Sequence, residues 1–191
     1  MASFVVDELT TLPESREELQ SLARSLNAGD GSLLVGPDAT ETRVKAAPLS
    51  DFQVIAFATH GLVAGELAGV SEPALVLTPP AEGTETDDGL LTASEVAQLK
   101  LNADWVILSA CNTAAADGTP GAQGLSGLAK AFFYAGSRAL LVSHWPVVSD
   151  AAVALTTRML TLSRQGMTRA EAHRQAMMAL INTEPARNAH P

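Results

Sequence analysis

The chain has 191 residues, 47% of them hydrophobic and 17% charged, with a net charge of −9 and one cysteine. That length fits one domain of about 100–200 residues with a core of its own, and that composition excludes a disordered chain. No apolar run approaches the ~18 residues of a membrane helix, a lone cysteine excludes an internal disulfide, and the acidity disfavours phosphate backbones, so nucleic acid and membrane are not expected partners.

Phe4–Val6 is a candidate first strand. Ser15 and Glu18 have capping-box spacing, and Leu19, Leu22, Ala23 and Leu26 follow on one helical face, with Asn27 and Gly29 as the stop. Short apolar runs at Ser32–Val35, Val54–Ala58, Ala74–Thr78, Trp105–Ala110 and Ala139–Ser143 predict strands. Their hydrophobicity is continuous rather than alternating, as expected of strands buried on both faces. Thr92 and Glu95 predict a second capped helix over Ser94–Lys100. Further helices are predicted over Gln123–Tyr134, ended by Gly136, then after Asp150, and over Arg169–Ile181 behind a Thr168–Glu171 box. Helices alternating with strands predict an α/β fold with a mostly parallel sheet.

Charge is unevenly distributed. Between Lys45 and Lys100 no Lys or Arg occurs, while eight acids do: Asp51, Glu66, Glu72, Glu82, Glu85, Asp87, Asp88 and Glu95. Such a window attracts cationic ligands, and equally serves solubility. Its centre, Pro79–Gly89, is a polar loop rich in turn residues.

Two strand ends carry the chemistry. Val54–Ala58 leads into Thr59-His60-Gly61, and Trp105–Ala110 leads into Cys111-Asn112-Thr113. In open parallel sheets, functional groups gather at the carboxyl ends of strands. If the two strands are neighbours, His60 and Cys111, 111 − 60 = 51 residues apart, share one sheet edge. A thiol beside an imidazole is the minimum set for acyl transfer, the histidine forming the thiolate and protonating the leaving amine. Gly61 leaves its N–H open to a carbonyl, and with the N–H of Cys111 it forms a candidate oxyanion hole. A lone cysteine after an apolar strand is also what packing alone produces, so both readings stand. Asp150 is a favoured helix cap or a carboxylate for a basic side chain, and Asp88-Gly89 is a turn pair or a loop carboxylate near the site.

Other constellations are weaker. Gly118, Gly121 and Gly124 match no phosphate-loop spacing, and Gly124-Leu125-Ser126-Gly127 misses the serine-hydrolase elbow by one position. Cys111, His60 and His144 have no local ligand pair, so no metal and no cofactor is expected. His173 and His190 read as solvated, and most methionines as core filler.

In order along the chain, several segments together resemble a CHAT domain, a bacterial relative of caspases and separase. They are Leu12-Pro13-Glu14-Ser15, Phe57-Ala58-Thr59-His60-Gly61, Asp88-Gly89-Leu90-Leu91-Thr92-Ala93-Ser94-Glu95, and Leu101 through Thr113. Gly124 through Ala129, Ala131 through Gly136, and Trp145-Pro146-Val147 complete the set. The resemblance implies a three-layer α/β/α caspase-like fold over residues 1–191 and a His60–Cys111 dyad. It implies a cysteine endopeptidase acting on a protein or peptide, restrained until an upstream or partner module, or a second copy, rearranges it; the single cysteine separately fits a reducing, cytoplasmic compartment. In separase-like relatives an acid after the Trp-containing turn receives an Arg; Asp150 lies in that region, and Ser149 is the alternative in register. A catalytically silent interaction or signalling module is the second function this resemblance allows. The family also continues past a His-Pro pair into a final core strand; with His190-Pro191 last here, that strand is expected to be missing from this sequence.

Overall fold

The computed structural model describes residues 9, 12–65, 70–80, 83–84, 87–109, 126–142 and 149–183. The expected strand at Phe4–Val6 lies outside them. The chain clusters into two compact units, one comprising Met1–Arg16 with Leu34–Pro146, the other Glu17–Leu33 with Val147–Pro191. No helix among the described residues is long and apolar enough to cross a membrane.

The first helix, α1, spans Pro13–Leu26. It begins two residues before Ser15 because Pro13, with φ preset and no N–H to satisfy, suits a first helical position. Ser15 therefore lies inside the helix and its N–H donates to Leu12 O. Asn27 follows at φ 53, a left-handed conformation that ends the helix. Ser32–Val35 does not form the expected strand. Ser32 closes a short 3₁₀ turn at Asp30–Ser32, and only Leu33–Val35 lie between it and a second at Gly36–Asp38, where Gly36, at φ 56, breaks extended backbone. Helix α2 (Glu41–Ala46) follows, its N-cap Thr40 accepting from Arg43 N–H.

In the first unit, β1 (Val54–Ala58), β5 (Trp105–Ser109) and β6 (Leu140–Val142) form a parallel sheet in the order β1-β5-β6. The middle strand is buried from Trp105 to Leu108, as its unbroken apolar run predicts. The expected strand at Ala74–Thr78 forms over Ala74–Val76, but as β3 of a second, antiparallel sheet between β2 (Gly61–Leu62) and β4 (Leu90–Thr92). Continuous apolarity reports burial on both faces and carries no strand direction. Leu75 and Leu77 join the main core, while Ala74 and Val76 pack with Leu62, Val70 and Leu90.

The main core fills around Phe132, fully buried on α4 (Ser126–Ala135), and Phe57 of β1. Their ring centroids are 5.7 Å apart, within the range where tilted aromatic pairs attract. Gly136 ends α4 at φ 112, and Ser137 N–H turns back to Phe132 O. Between β4 and β5, α3 is shorter than expected, Ala93–Val96, and carries a complete Thr92–Glu95 capping box.

The second unit contains most of α1, with α5 (Ser149–Arg164) and α6 (Arg169–Thr183). Among the described residues, Leu22 of α1, Met159 and Leu160 of α5, and Ala172 and Ala176 of α6 are its buried apolar side chains. Thr168 Oγ1 accepts from Glu171 N–H as predicted. The Glu171 carboxylate instead takes Arg174 and Gln175, and these bonds lower its pKa to about 2.

Candidate active site

The parallel register between β1 and β5 pairs Val54 with Trp105 and continues to Ala58 with Ser109. The two strands therefore are neighbours and end level. His60 follows Ala58 by two residues, and Cys111 follows Ser109 by two. Cys111 itself lies outside the described residues, as do Gly118, Gly121, Gly124, His144 and the Trp145-Pro146-Val147 turn.

His60 stands at the joint between the two sheets, between the end of β1 and the start of β2. It is half-buried. Its backbone is held by β3, where Val76 N–H donates to His60 O at 2.9 Å. The Thr59 hydroxyl donates to the carbonyl of the same Val76, so one β3 residue holds both Thr59 and His60. Gly61 begins β2 opposite Leu75.

On the other side of β3 lies the end of the acidic loop. Leu77 N–H donates to Gly89 O at 2.8 Å, and Val76 stands opposite Leu90. His60 and Leu90 thus flank the same β3 residue, about two strand spacings of ~4.8 Å apart. Asp88 is spent locally, its Oδ1 accepting from Leu90 N–H at 2.9 Å. This is the turn expected of an Asp-Gly pair. Its neighbour Asp87 accepts the Thr42 hydroxyl on Oδ2. Asp87 Oδ1 is buried with no hydrogen-bond partner among the described residues.

Sequence reasoning passed over Glu41, which the fold buries completely. Its Oε2 accepts the N–H groups of Asp88 at 2.6 Å and Gly89 at 2.7 Å. Its Oε1 accepts Lys45 Nζ at 2.8 Å. Lys45 also donates to Glu95 Oε1 at 2.7 Å. Glu95 Oε2 accepts the Thr92 N–H at 2.9 Å and hydroxyl at 2.8 Å. Burial by itself works against charge on Lys45, but hydrogen bonds to Glu41 and Glu95 prevail and raise its pKa above 10.5. Burial likewise opposes ionisation of Glu95, while Lys45 and Thr92 prevail and lower its pKa below 4.5. The one signal in the sequence was the spacing Glu41–Lys45, an i,i+4 pair on a short helix, which usually marks an exposed face.

Asp150 belongs to the second unit. It is the second residue of α5 and is exposed, so it sits in the first turn, where a carboxylate complements the helix dipole. It lies at a groove of about 810 Å³ within that unit, with Ser25, Arg158 and Thr161 among the lining residues. The Ser149 side chain lies outside the described residues.

Comparison with known proteins agrees with this architecture. The CHAT domain family model matches residues 3–191. A mouse (Mus musculus) protein, tetratricopeptide repeat protein 28, is 31% identical over an alignment covering 71% of this chain. The alignment covers 6% of that relative, so the chain corresponds to a small part of it. With its parallel β1-β5-β6 sheet and its match over nearly the whole sequence, the chain belongs to the CHAT domain family, which is related to the caspase-like cysteine peptidases.

Proposed function

We propose that residues 1–191 form a single CHAT domain acting as a cysteine endopeptidase through His60 and Cys111. The observation that carries this reading is the level ending of β1 and β5, with Ala58 opposite Ser109. Adjacent strands lie about 4.8 Å apart. His60 comes two residues after the end of β1 in the sequence and Cys111 two residues after the end of β5, and this matched spacing supports pairing them as a dyad. In this mechanism His60 takes the thiol proton, and the Cys111 thiolate attacks the scissile carbonyl. The N–H groups of Gly61 and Cys111 hold the oxyanion, and His60 returns the proton to the leaving amine as the C–N bond breaks. Water then hydrolyses the thioester and regenerates the thiol. No organic cofactor or metal enters these steps.

The substrate is a protein or peptide segment with a basic residue before the cut. The acidic window between Lys45 and Lys100 supports this charge preference. Asp150, Ser149 and Asp88 are the proposed acceptors of the basic side chain. Asp88 Oδ1 is already engaged by Leu90 N–H. Control by a helical-repeat partner is part of the proposal, supported by the relative whose name denotes tetratricopeptide repeats.

The test uses fluorogenic peptides ending in Arg, Lys or Asp, incubated with the chain, C111A and H60A. Cleavage after Arg or Lys that both substitutions reduce by at least about 10³-fold is expected. Turnover equal in all three proteins, or none in any with or without a repeat partner, rejects the peptidase. A non-proteolytic interaction module is the second reading. Rapid, His60-dependent alkylation of Cys111 at neutral pH supports the enzyme, and an inert thiol supports the module.

A further inference from the structure

We infer that Glu41 is a positioning residue for His60, acting through the base of the acidic loop and strand β3. This deepens the peptidase proposal and rests on it for the role of His60. It begins from a side chain with 0% exposure carrying a carboxylate. Burial of such a group is costly unless it is paired and hydrogen-bonded. Glu41 meets that condition with Lys45 and with two consecutive loop N–H groups, at 2.6 and 2.7 Å. The next residue, Thr42, adds the bond to Asp87. Two consecutive residues of α2 therefore hold three consecutive residues of the loop.

From there the connection is continuous. Gly89, whose N–H is bound by Glu41, gives its carbonyl to Leu77 N–H at 2.8 Å. The adjoining residue, Val76, donates to the His60 carbonyl at 2.9 Å and accepts the Thr59 hydroxyl. The Gly89 turn has little slack. It has φ +89, and a Cβ there would lie 3.0 Å from Pro79 Cβ and 3.3 Å from Leu77 O. A shift of the turn is thus passed to Leu77 rather than absorbed locally. Lys45 joins the same carboxylate to Glu95 and the start of α3. The loop base, β3 and the His60–Gly61 step consequently move as one body.

Two measurements on the full chain test this. In the wild-type protein, the amides of Asp88, Gly89, Leu77 and Val76 are expected to exchange with solvent deuterium at one common opening rate. Exchange of Asp88 and Gly89 at the rate of an open loop, separately from Val76, overturns the inference. The second uses E41Q, which keeps the shape and loses the charge. Its control is L22A in the second unit, compared at a temperature where both remain folded by circular dichroism. Expected for E41Q, and not for L22A, are about tenfold faster exchange at Gly89 and displaced His60 ring signals in NMR. Also expected is about tenfold slower His60-dependent alkylation of Cys111. Unchanged His60 signals in folded E41Q reduce Glu41 to a stabilising group and overturn the inference. If E41Q does not fold, the wild-type exchange pattern decides. If Cys111 of the wild-type protein is inert, the peptidase reading falls while exchange and ring signals still judge Glu41.

Discussion

Residue identity matters most where backbone or burial leaves no alternative. At Gly136, φ is 112 and a Cβ would lie 2.3 Å from the Leu101 carbonyl oxygen. G136A should cost about 2 kcal/mol or more, from left-handed strain together with displacement of the Leu101 chain. For a chain of this size that lowers the thermal midpoint by roughly 4–8 °C, measurable by circular dichroism. A midpoint within 1 °C of wild type would show that the chain around Leu101 gives way freely. Phe132, fully buried against Phe57, sets the upper end of the core scale. F132A should lose about 3–5 kcal/mol in urea unfolding, as a large aromatic leaving a cavity does. Gly136 was legible in the sequence because a glycine after an apolar helical face is a stop signal. Glu41 was not, because a carboxylate in a helical i,i+4 pair looks the same on paper whether it faces water or the core.

At the scale of elements, α3 shows how a short helix is held from outside. Four residues cannot sustain themselves, and the capping box together with the Lys45 bridge does it for them. T92V should cost about 1 kcal/mol by removing the cap. Glu95 adds a pH dependence whose sign is fixed by its lowered pKa. The folded protein binds the proton less readily than the unfolded chain, so this contribution is complete above about pH 4.5 and fades as pH falls through the lower folded value. Lys45 works in the opposite sense: its pKa is raised, so its contribution is complete below 10.5 and is lost as pH climbs through the higher folded value. Urea midpoints between pH 3 and 6 should fall more steeply in wild type than in E95Q; parallel curves would remove the bridge from the account. The Thr92–Glu95 box was readable from local spacing. The start of α1 at Pro13 was missed because two start signals lay two residues apart, and the proline prevailed over the serine.

Over the whole molecule, charge is the governing quantity. Eight acids without a base between Lys45 and Lys100, in a chain of net charge −9, produce a field that salt weakens, since the screening length falls from about 10 Å at 0.1 M to 3 Å at 1 M. Cleavage of an Arg-containing peptide should therefore lose kcat/KM relative to a neutral analogue as NaCl rises from 50 to 500 mM. An unchanged ratio would detach the acidic window from substrate capture.

From its residue order alone, this protein declares its α/β class, most of its elements, its family resemblance, and the histidine and cysteine that follow two apolar strands. Those properties reside in periodicity, turn chemistry and short motifs, which depend on neighbours a few residues away. Only the folded chain decided that β1 and β5 are adjacent and end level, that Ala74–Val76 runs antiparallel in a separate sheet, and that Ser32–Val35 is no strand. It alone sent Glu41 into the interior to bind the Asp88–Gly89 turn. Strand direction and the burial of a charge are settled by which distant segment supplies the opposing N–H, and no local pattern carries that partner's identity.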